Sequence, residues 1–316
     1  MIMNIYYFKN YKSDFIMEIT FLGTSSAVHS NTRNHPSIAI KAFGETILFD
    51  CGEACQKQMI TSNISPMKIS KIFLTHFHGD HILGLPGLLQ SMSLNGRDSE
   101  LTIYGPKGLD RVKDAIYSLG YCAIEYPVEF IEIDSGIIID TDEYFIEAQR
   151  VRHNVPALAY SIEEKKKPRF LRKKAIELGV PVGPAFGKLH NGEEVEINGK
   201  IIKPEQVLGP ARKGVKITYS GDTRPCEEMI MLAHDSTLLI HESTFLKEDN
   251  ANAEEHAHST SADAAYIARE SNSKELILTH ISTRYTKENE EKMLKEAQDI
   301  FENTRLAYDL MEIEVR

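Results

Sequence analysis

Residues 71–81 read Lys71-Ile72-Phe73-Leu74-Thr75-His76-Phe77-His78-Gly79-Asp80-His81. A strand-like apolar run ends in three imidazoles and one carboxylate within six positions. Apolar cores have little use for so many polar groups in so short a space. They are the ligand types zinc prefers, and a loop leaving a buried strand is where a rigid scaffold presents ligands. The stretch is a candidate metal site, and the rest of the chain must supply the scaffold and the missing ligands.

Short β-like runs recur at 17–22, 36–42, 45–49, 71–75, 101–104, 127–133, 144–152, 157–162, 217–220, 237–241 and 275–279. Several are nearly all apolar, such as Thr46-Ile47-Leu48-Phe49, as expected for strands buried on both faces. Helical patterns lie near 83–94, 107–118, 259–271 and 287–304. Interleaved strands and helices predict an α/β protein with helices covering sheets.

Polar residues just after apolar strands are the natural partners of the histidine string. His153 follows Ala148-Gln149-Arg150-Val151-Arg152, Asp222 follows Ile217-Thr218-Tyr219-Ser220-Gly221, and His280 follows Leu276-Ile277-Leu278-Thr279. Asp50 follows Ile47-Leu48-Phe49. Any one alone reads as a cap or surface group; together they form a pattern. His76, His78, Asp80, His81, His153, Asp222 and His280 suit two zinc ions. One ion would take His76, His78 and His153, the other Asp80, His81 and His280, with Asp222 bridging. Each ion keeps an open position, as catalytic zinc needs. Two metals about 3.5–4 Å apart can generate hydroxide near neutral pH and stabilise charge on a phosphoryl oxygen. Asp80 is also placed to orient water, and Asp50 to hold a ligand imidazole in its tautomer.

A further cluster lies between Asp222 and His280. His241-Glu242-Ser243-Thr244 ends an apolar run, and His256-Ala257-His258-Ser259-Thr260 begins a helical one. Ser259 or Thr260 reads as the helix N-cap. Protonated His258 could donate to a leaving oxygen, with Glu242 raising its pKa by pairing with it.

The bulk numbers set bounds. The 316 residues are 42% hydrophobic and 26% charged, ordinary for a globular enzyme, with a net charge of −10. That charge argues against coating nucleic acid by bulk electrostatics and leaves room for a local basic patch. No run has the length of a membrane span, and the first sixteen residues lack a signal peptide's apolar core. They read as an N-terminal extension or a start site called too early, and the expected compartment is the cytoplasm. Cys51, Cys55, Cys122 and Cys226 have no CxxC spacing and read as reduced thiols.

Residues 163–213 break the rhythm. Lys165, Lys166, Lys167, Arg169, Arg172, Lys173 and Lys174 fall within ten positions, followed by Gly179, Pro181, Gly183, Pro184 and Gly187. This composition predicts an arm projecting from the main core. A charge run alone is more often a solvated face than a binding site.

With these motifs assembled, the chain resembles the ribonuclease Z family of tRNA 3′-processing endonucleases, in the metallo-β-lactamase superfamily, over about residues 17–316. The HxHxDH string marks only the superfamily, which includes glyoxalase II and β-lactamases. More specific is Phe49-Asp50-Cys51-Gly52-Glu53-Ala54-Cys55-Gln56, similar to the family's FDCGEGTQ. The run from Thr75 through Gly84-Leu85-Pro86-Gly87-Leu88-Leu89 to Met92-Ser93-Leu94-Asn95-Gly96-Arg97 is also similar. Ser220-Gly221-Asp222-Thr223, His241-Glu242-Ser243-Thr244, His258-Ser259-Thr260 and Leu278–Tyr285 fall in family order.

The resemblance implies a four-layer αβ/βα sandwich with a protruding exosite arm at about 163–213. It implies two zinc ions per subunit, with manganese the alternative, and precursor tRNA as partner, neither DNA nor membrane. Cleavage would follow the discriminator nucleotide, leaving a 3′-hydroxyl on the tRNA and a 5′-phosphate on the trailer. A homodimer is implied, one subunit's arm presenting tRNA to the other's site. Lys165, Lys166, Lys167, Arg169, Gly183, Pro184 and Lys188 are the expected arm contacts. Short family members carry PxKxRN before the second strand. Here the stretch is His29-Ser30-Asn31-Thr32-Arg33-Asn34, so Arg33 and Asn34 remain as expected substrate contacts while Pro and Lys are replaced. That departure bears on cleavage position and on the response to a CCA end.

Three rivals stay open at this point. A phosphodiesterase acting on a small ester would need no basic arm. Glyoxalase II chemistry explains neither the arm nor His258. A non-catalytic RNA-binding module would need no complete ligand set.

Overall fold

The computed structural model describes residues 16–121 and 123–316, so the leader before Ile16 and the Cys122 thiol lie outside the described residues. In chain order the strands are β1 (Met17–Gly23), β2 (Ser37–Ala42), β3 (Glu45–Phe49), β4 (Ile69–Phe73), β5 (Leu101–Gly105), β6 (Val128–Glu132), β7 (Gly136–Asp140) and β8 (Tyr144–Arg150). There follow β9 (Leu158–Glu164), β10 (Val195–Ile197), β11 (Lys200–Ile202), β12 (Lys216–Tyr219), β13 (Leu238–Glu242), β14 (Leu276–Thr279), β15 (Thr304–Leu306) and β16 (Glu312–Val315). One seven-stranded sheet runs β16-β1-β2-β3-β4-β5-β6, and a second runs β15-β14-β13-β12-β9-β8-β7.

Strand periodicity explains why the sheets stack. Ile38, Ile40, Ile47, Phe49 and Phe73 from the first sheet share one buried cluster with Ile146, Tyr160, Ile217, Ile240 and Ile277 from the second. The alternate residues Ala39, Leu48, Ile72 and Leu74 turn the other way, onto Leu85, Leu88, Leu89 and Leu109 of outer helices. Leu239, Leu276 and Leu278 likewise meet Met229, Ala264, Ile267 and Met293 on the far side. Successive side chains point to opposite faces, so strands apolar at every position demand cover on both sides. The outcome is helix, sheet, sheet, helix, as the α/β reading predicts.

β3 runs parallel to β4, and β12, β13 and β14 run parallel to one another. In such sheets ligand sites gather at the carboxyl ends of the strands. Asp50, the Thr75–His81 string, Asp222 and His280 all leave those ends.

Several elements differ from the sequence expectation. The helix begun at Lys287 stops at Gln298, short of 304, because Thr304 already opens β15. Helices Cys55–Thr61, Glu227–Ala233 and Asn250–His256 have seven residues each, too short for helical periodicity to register. No helix among the described residues is long and apolar enough to cross a membrane.

The basic segment leaves after β9 and returns at β12. Its start falls two residues later than expected, since Glu163 and Glu164 still pair with Phe145 and Tyr144. It folds into helices Arg172–Glu177 and Pro184–His190 and the β10–β11 hairpin. Ala175, Val180, Leu189, Val195, Ile202 and Val207 form its own buried cluster.

Candidate metal centre

The strand ends turn sharply into the site. Asp50 and His280 take φ of 56° and 59°, and Gly221 takes 55°. Left-handed backbone at residues other than glycine is costly and collects at functional sites. A Cβ at Gly221 would lie 2.7 Å from the Thr75 Cβ, so only glycine lets this turn close on the histidine loop.

The structure brings all seven expected ligands together. His76 Nε2 is 2.9 Å from His78 Nδ1, and His153 Nε2 is 3.3 Å from that same atom. Asp222 Oδ2 is 3.5 Å from His76 Nε2 and 4.0 Å from His153 Nε2. Asp222 Oδ1 turns to the other group, 3.4 Å from His81 Nε2 and 3.3 Å from His280 Nε2. Asp80 Oδ2 lies 3.5 Å from His81 Nε2 and 3.4 Å from His280 Nε2. The donors thus divide into His76-His78-His153 and Asp80-His81-His280, with one oxygen of Asp222 toward each.

The opposite ring nitrogens are held from behind. His81 Nδ1 donates to Asp50 Oδ2 at 2.8 Å, and His153 Nδ1 donates to the Ala257 carbonyl at 2.8 Å. The Thr75 hydroxyl donates to Asp50 and therefore accepts from His76 Nδ1 at 3.0 Å. Thr244 Oγ1 donates to Glu242 Oε2 at 2.7 Å and accepts from His280 Nδ1 at 2.8 Å. Each Nδ1 carries the proton, so four Nε2 lone pairs point inward.

This interior calls for positive charge. Burial opposes ionisation of Asp80, but His81 and His280 hold its carboxyl well below the usual range. Asp222 is fully enclosed, yet His280, His81 and His76 likewise hold it ionised. Burial works against protonation of His81, and Asp222, Asp50 and Asp80 override it and raise its proton affinity, a counter-charge that a cation can replace. Burial, aided by His81, leaves His76 neutral. Asp222 Oδ1 is buried and has no hydrogen-bond donor among the described residues. Inward lone pairs around an unsatisfied carboxylate fit divalent metal ions of the zinc type.

A cavity of about 690 Å³ opens over this cluster, walled by Ser26, Val28, Asn154, Phe245 and Arg284 together with Asp80 and His258. The Arg284 guanidinium stacks 4.9 Å from the Phe245 ring centre. His258 Nδ1 lies 2.9 Å from Glu242 Oε1, leaving Nε2 for the cavity. Burial lowers the proton affinity of His258, but the charge and hydrogen bond of Glu242, with Asp222, push its pKa up to about 9. Glu242 is itself fixed by the Thr223 and Thr244 amides at 2.9 and 3.2 Å. Thr260 is the N-cap of helix Ser261–Glu270, closing a capping box with Asp263.

Arg33 and Asn34, expected as substrate contacts, have partners within the protein. Arg33 is buried, its guanidinium donating to Glu290 at 2.9 Å, Thr24 at 2.6 Å and the Ala307 carbonyl at 2.8 Å. Asn34 donates through its side chain to Asp309 at 2.8 Å. Three of the guanidinium's five N–H groups are thus engaged within the protein, and the pair anchors its loop to the C-terminal segment. None of the expected arm contacts belongs to the donor cluster or walls the cavity. Lys165 pairs with Asp140, Lys166 lies 3.8 Å from Glu164, and Lys167 donates to Asn191 at 3.0 Å. Arg169, Gly183, Pro184 and Lys188 are exposed.

Sequence reasoning missed Thr75 and Thr244, whose role lies in relaying hydrogen bonds, and it missed Arg284 and Asn154 on the cavity wall. The adjacency of Thr75 to His76 and of Thr244 to Glu242 was the available signal for the first two; Asn154, next to His153, was equally close at hand.

Residues 17–113 match the family model of the anti-Pycsar protein Apyc1, and residues 188–281 match that of the beta-lactamase superfamily domain. The chain is 52% identical over 301 residues to ribonuclease Z of Methanothermobacter thermautotrophicus, covering 95% of this chain and 97% of that one. It is 44% identical to ribonuclease Z of Methanosarcina mazei, covering 95% and 98%. Among solved structures it is similar to human tRNase Z, short form, with a TM-score of 0.68, 29% identity, and 95% and 99% of the two chains covered.

Proposed function

The chain belongs to the ribonuclease Z family, and on that premise we propose that it removes the 3′ trailer of precursor tRNA as a metal-dependent endoribonuclease. Cleavage follows the discriminator nucleotide and leaves a 3′-hydroxyl on the tRNA and a 5′-phosphate on the trailer. The observation that carries this reading is the divided donor set lying beside a paired His258–Glu242 in one open cavity.

His76, His78 and His153 would hold one zinc ion, Asp80, His81 and His280 a second, and Asp222 would bridge them. Bound there, the ions supply a water nucleophile near neutral pH and stabilise charge on the phosphoryl oxygens. Asp80 Oδ2 accepts a hydrogen bond from the attacking water and fixes its direction. His258, kept protonated by Glu242, donates from Nε2 to the leaving oxygen. Arg284 and Asn154 give the cavity wall a cation and an amide for phosphate oxygens. The exposed cations of the arm contact the folded RNA through its backbone, reading shape rather than sequence. The working unit is a homodimer, one subunit's arm serving its partner's cavity.

An end-labelled, 3′-extended precursor tRNA, cleaved by wild type and by Asp80→Ala in parallel and mapped to the nucleotide, tests this. The expected result is one cut beside the discriminator in wild type and at least a ~10³-fold loss in the variant, the order seen when a catalytic group is deleted. Zinc-loaded, folded wild type that leaves the RNA intact sinks the reading and points to small phosphodiesters.

A further inference from the structure

We propose that His29, His35 and Glu53 form an additional zinc site beside the seven-residue cluster, clasping the loop that walls the cavity to the turn after β3. One ligand atom from each of the three lies within 4.8 Å of the others. His35 is only 6% exposed, and both its ring nitrogens are buried without a hydrogen-bond partner among the described residues. A buried imidazole unsatisfied at both nitrogens is rare enough to need an explanation, and an ion accounts for the nitrogen that carries the lone pair. The His29 ring meets it edge-on at 5.1 Å between centres.

Two glycines bring the ligands into reach. A Cβ at Gly23 would fall 1.8 Å from the His35 carbonyl oxygen. A Cβ at Gly52 would fall 2.5 Å from the His35 Cβ and 2.4 Å from the Asp80 carbonyl oxygen. The glycine preceding Glu53 therefore allows that turn to close directly on His35. Two imidazoles and one carboxylate are a zinc donor set, with the fourth position left to water. Tetrahedral bonds of about 2.0–2.1 Å need donors about 3.4 Å apart, so the ligands must draw inward. His29 and Glu53 are exposed and free to rotate, while buried His35 is the fixed point.

Ser26 and Val28, on the same loop as His29, wall the cavity. An ion at the additional site holds that wall in place without touching the substrate. Zinc alone is the probe, applied to the metal-free full chain by equilibrium dialysis at buffered free zinc. Wild type is expected to bind one equivalent more than His29→Ala and one more than Glu53→Gln. Hydrogen exchange at residues 26–34 should slow as that equivalent binds in wild type and stay unchanged in the variants. Because both variants alter exposed side chains, folding is not at stake; identical far-UV circular dichroism checks it. Equal stoichiometry in all three proteins overturns the proposal. It stands apart from the catalytic reading, which the same dialysis tests through the equivalents left in both variants.

Discussion

Asp50 sits at the end of β3 and accepts hydrogen bonds from the Thr75 amide at 2.8 Å, His81 Nδ1 at 2.8 Å and the Tyr219 hydroxyl at 2.9 Å. Asp50→Asn presents an amide NH₂ where a carboxylate oxygen met the His81 N–H. The ring then favours the other tautomer and turns a proton inward. Zinc affinity should fall about 10–100-fold, read by competition with a chromophoric chelator. An unchanged affinity would show that His81 needs no such support. His258 has a pH signature. With its pKa raised to about 9, the His258–Glu242 pair contributes stability in full below the ordinary histidine value near 6.5 and loses it as pH rises through about 9. As the proton donor, His258 gives a cleavage rate that declines above pH about 9. His258→Ala should lower kcat by about 10²–10⁴-fold and flatten that limb; a limb that persists assigns it to another group. The metal-type residues were legible because one short string announces them and each partner follows an apolar strand. The hydroxyls of Thr75 and Thr244 were not, because a threonine acquires such a role only from what the fold brings within 3 Å. The ion pair of Arg33 was hidden for the complementary reason: a cation in a loop looks unpaired until Glu290, far along the chain, is seen to meet it.

Among the elements, the buried strands were legible because apolar residues at consecutive positions leave few alternatives to a two-faced sheet. The short β15 and β16 were lost at the C-terminal end, where pairing with β14 and β1 rather than local pattern makes them strands. The turn that ends β12 is the most exacting. Gly221→Ala forces a Cβ into the Thr75 side chain at a φ of 55°. A destabilisation of about 1–3 kcal/mol is expected, with loss of bound zinc at temperatures where the chain stays folded. Thermal unfolding followed alongside metal analysis separates the two, and wild-type values in both would show that the turn yields freely.

For the whole molecule, the arm's separate cluster makes it removable in principle. Joining residue 165 to 215 by a short glycine linker should leave the sandwich folded and the hydrolysis of a small chromogenic phosphodiester within a few-fold of wild type. Cleavage of precursor tRNA should fall by at least ~10²-fold at moderate salt, since phosphate contacts supply much of nucleic-acid affinity. Mixing this protein with Asp80→Ala should restore cutting if the arm serves the partner's cavity; a mixture as inactive as its parts assigns the arm to its own subunit. Composition marks the segment as a departure from the sandwich, and its own buried cluster agrees with that; its role needs RNA.

β16 pairs with β1, more than 290 positions earlier in the sequence: Met17 lies opposite Val315 and Thr20 opposite Glu312. Arg33, Asn34 and Gln58 are likewise bound to Glu290 and Asp309. During synthesis the first sheet therefore waits with an open edge until β16 emerges, and long-range pairing of this kind is slow to form. His280 reaches the cluster only in the same late interval. A nascent chain that has not yet delivered His280 and β16 is thus a nuclease without a finished active site, and their arrival is the moment at which catalysis is switched on.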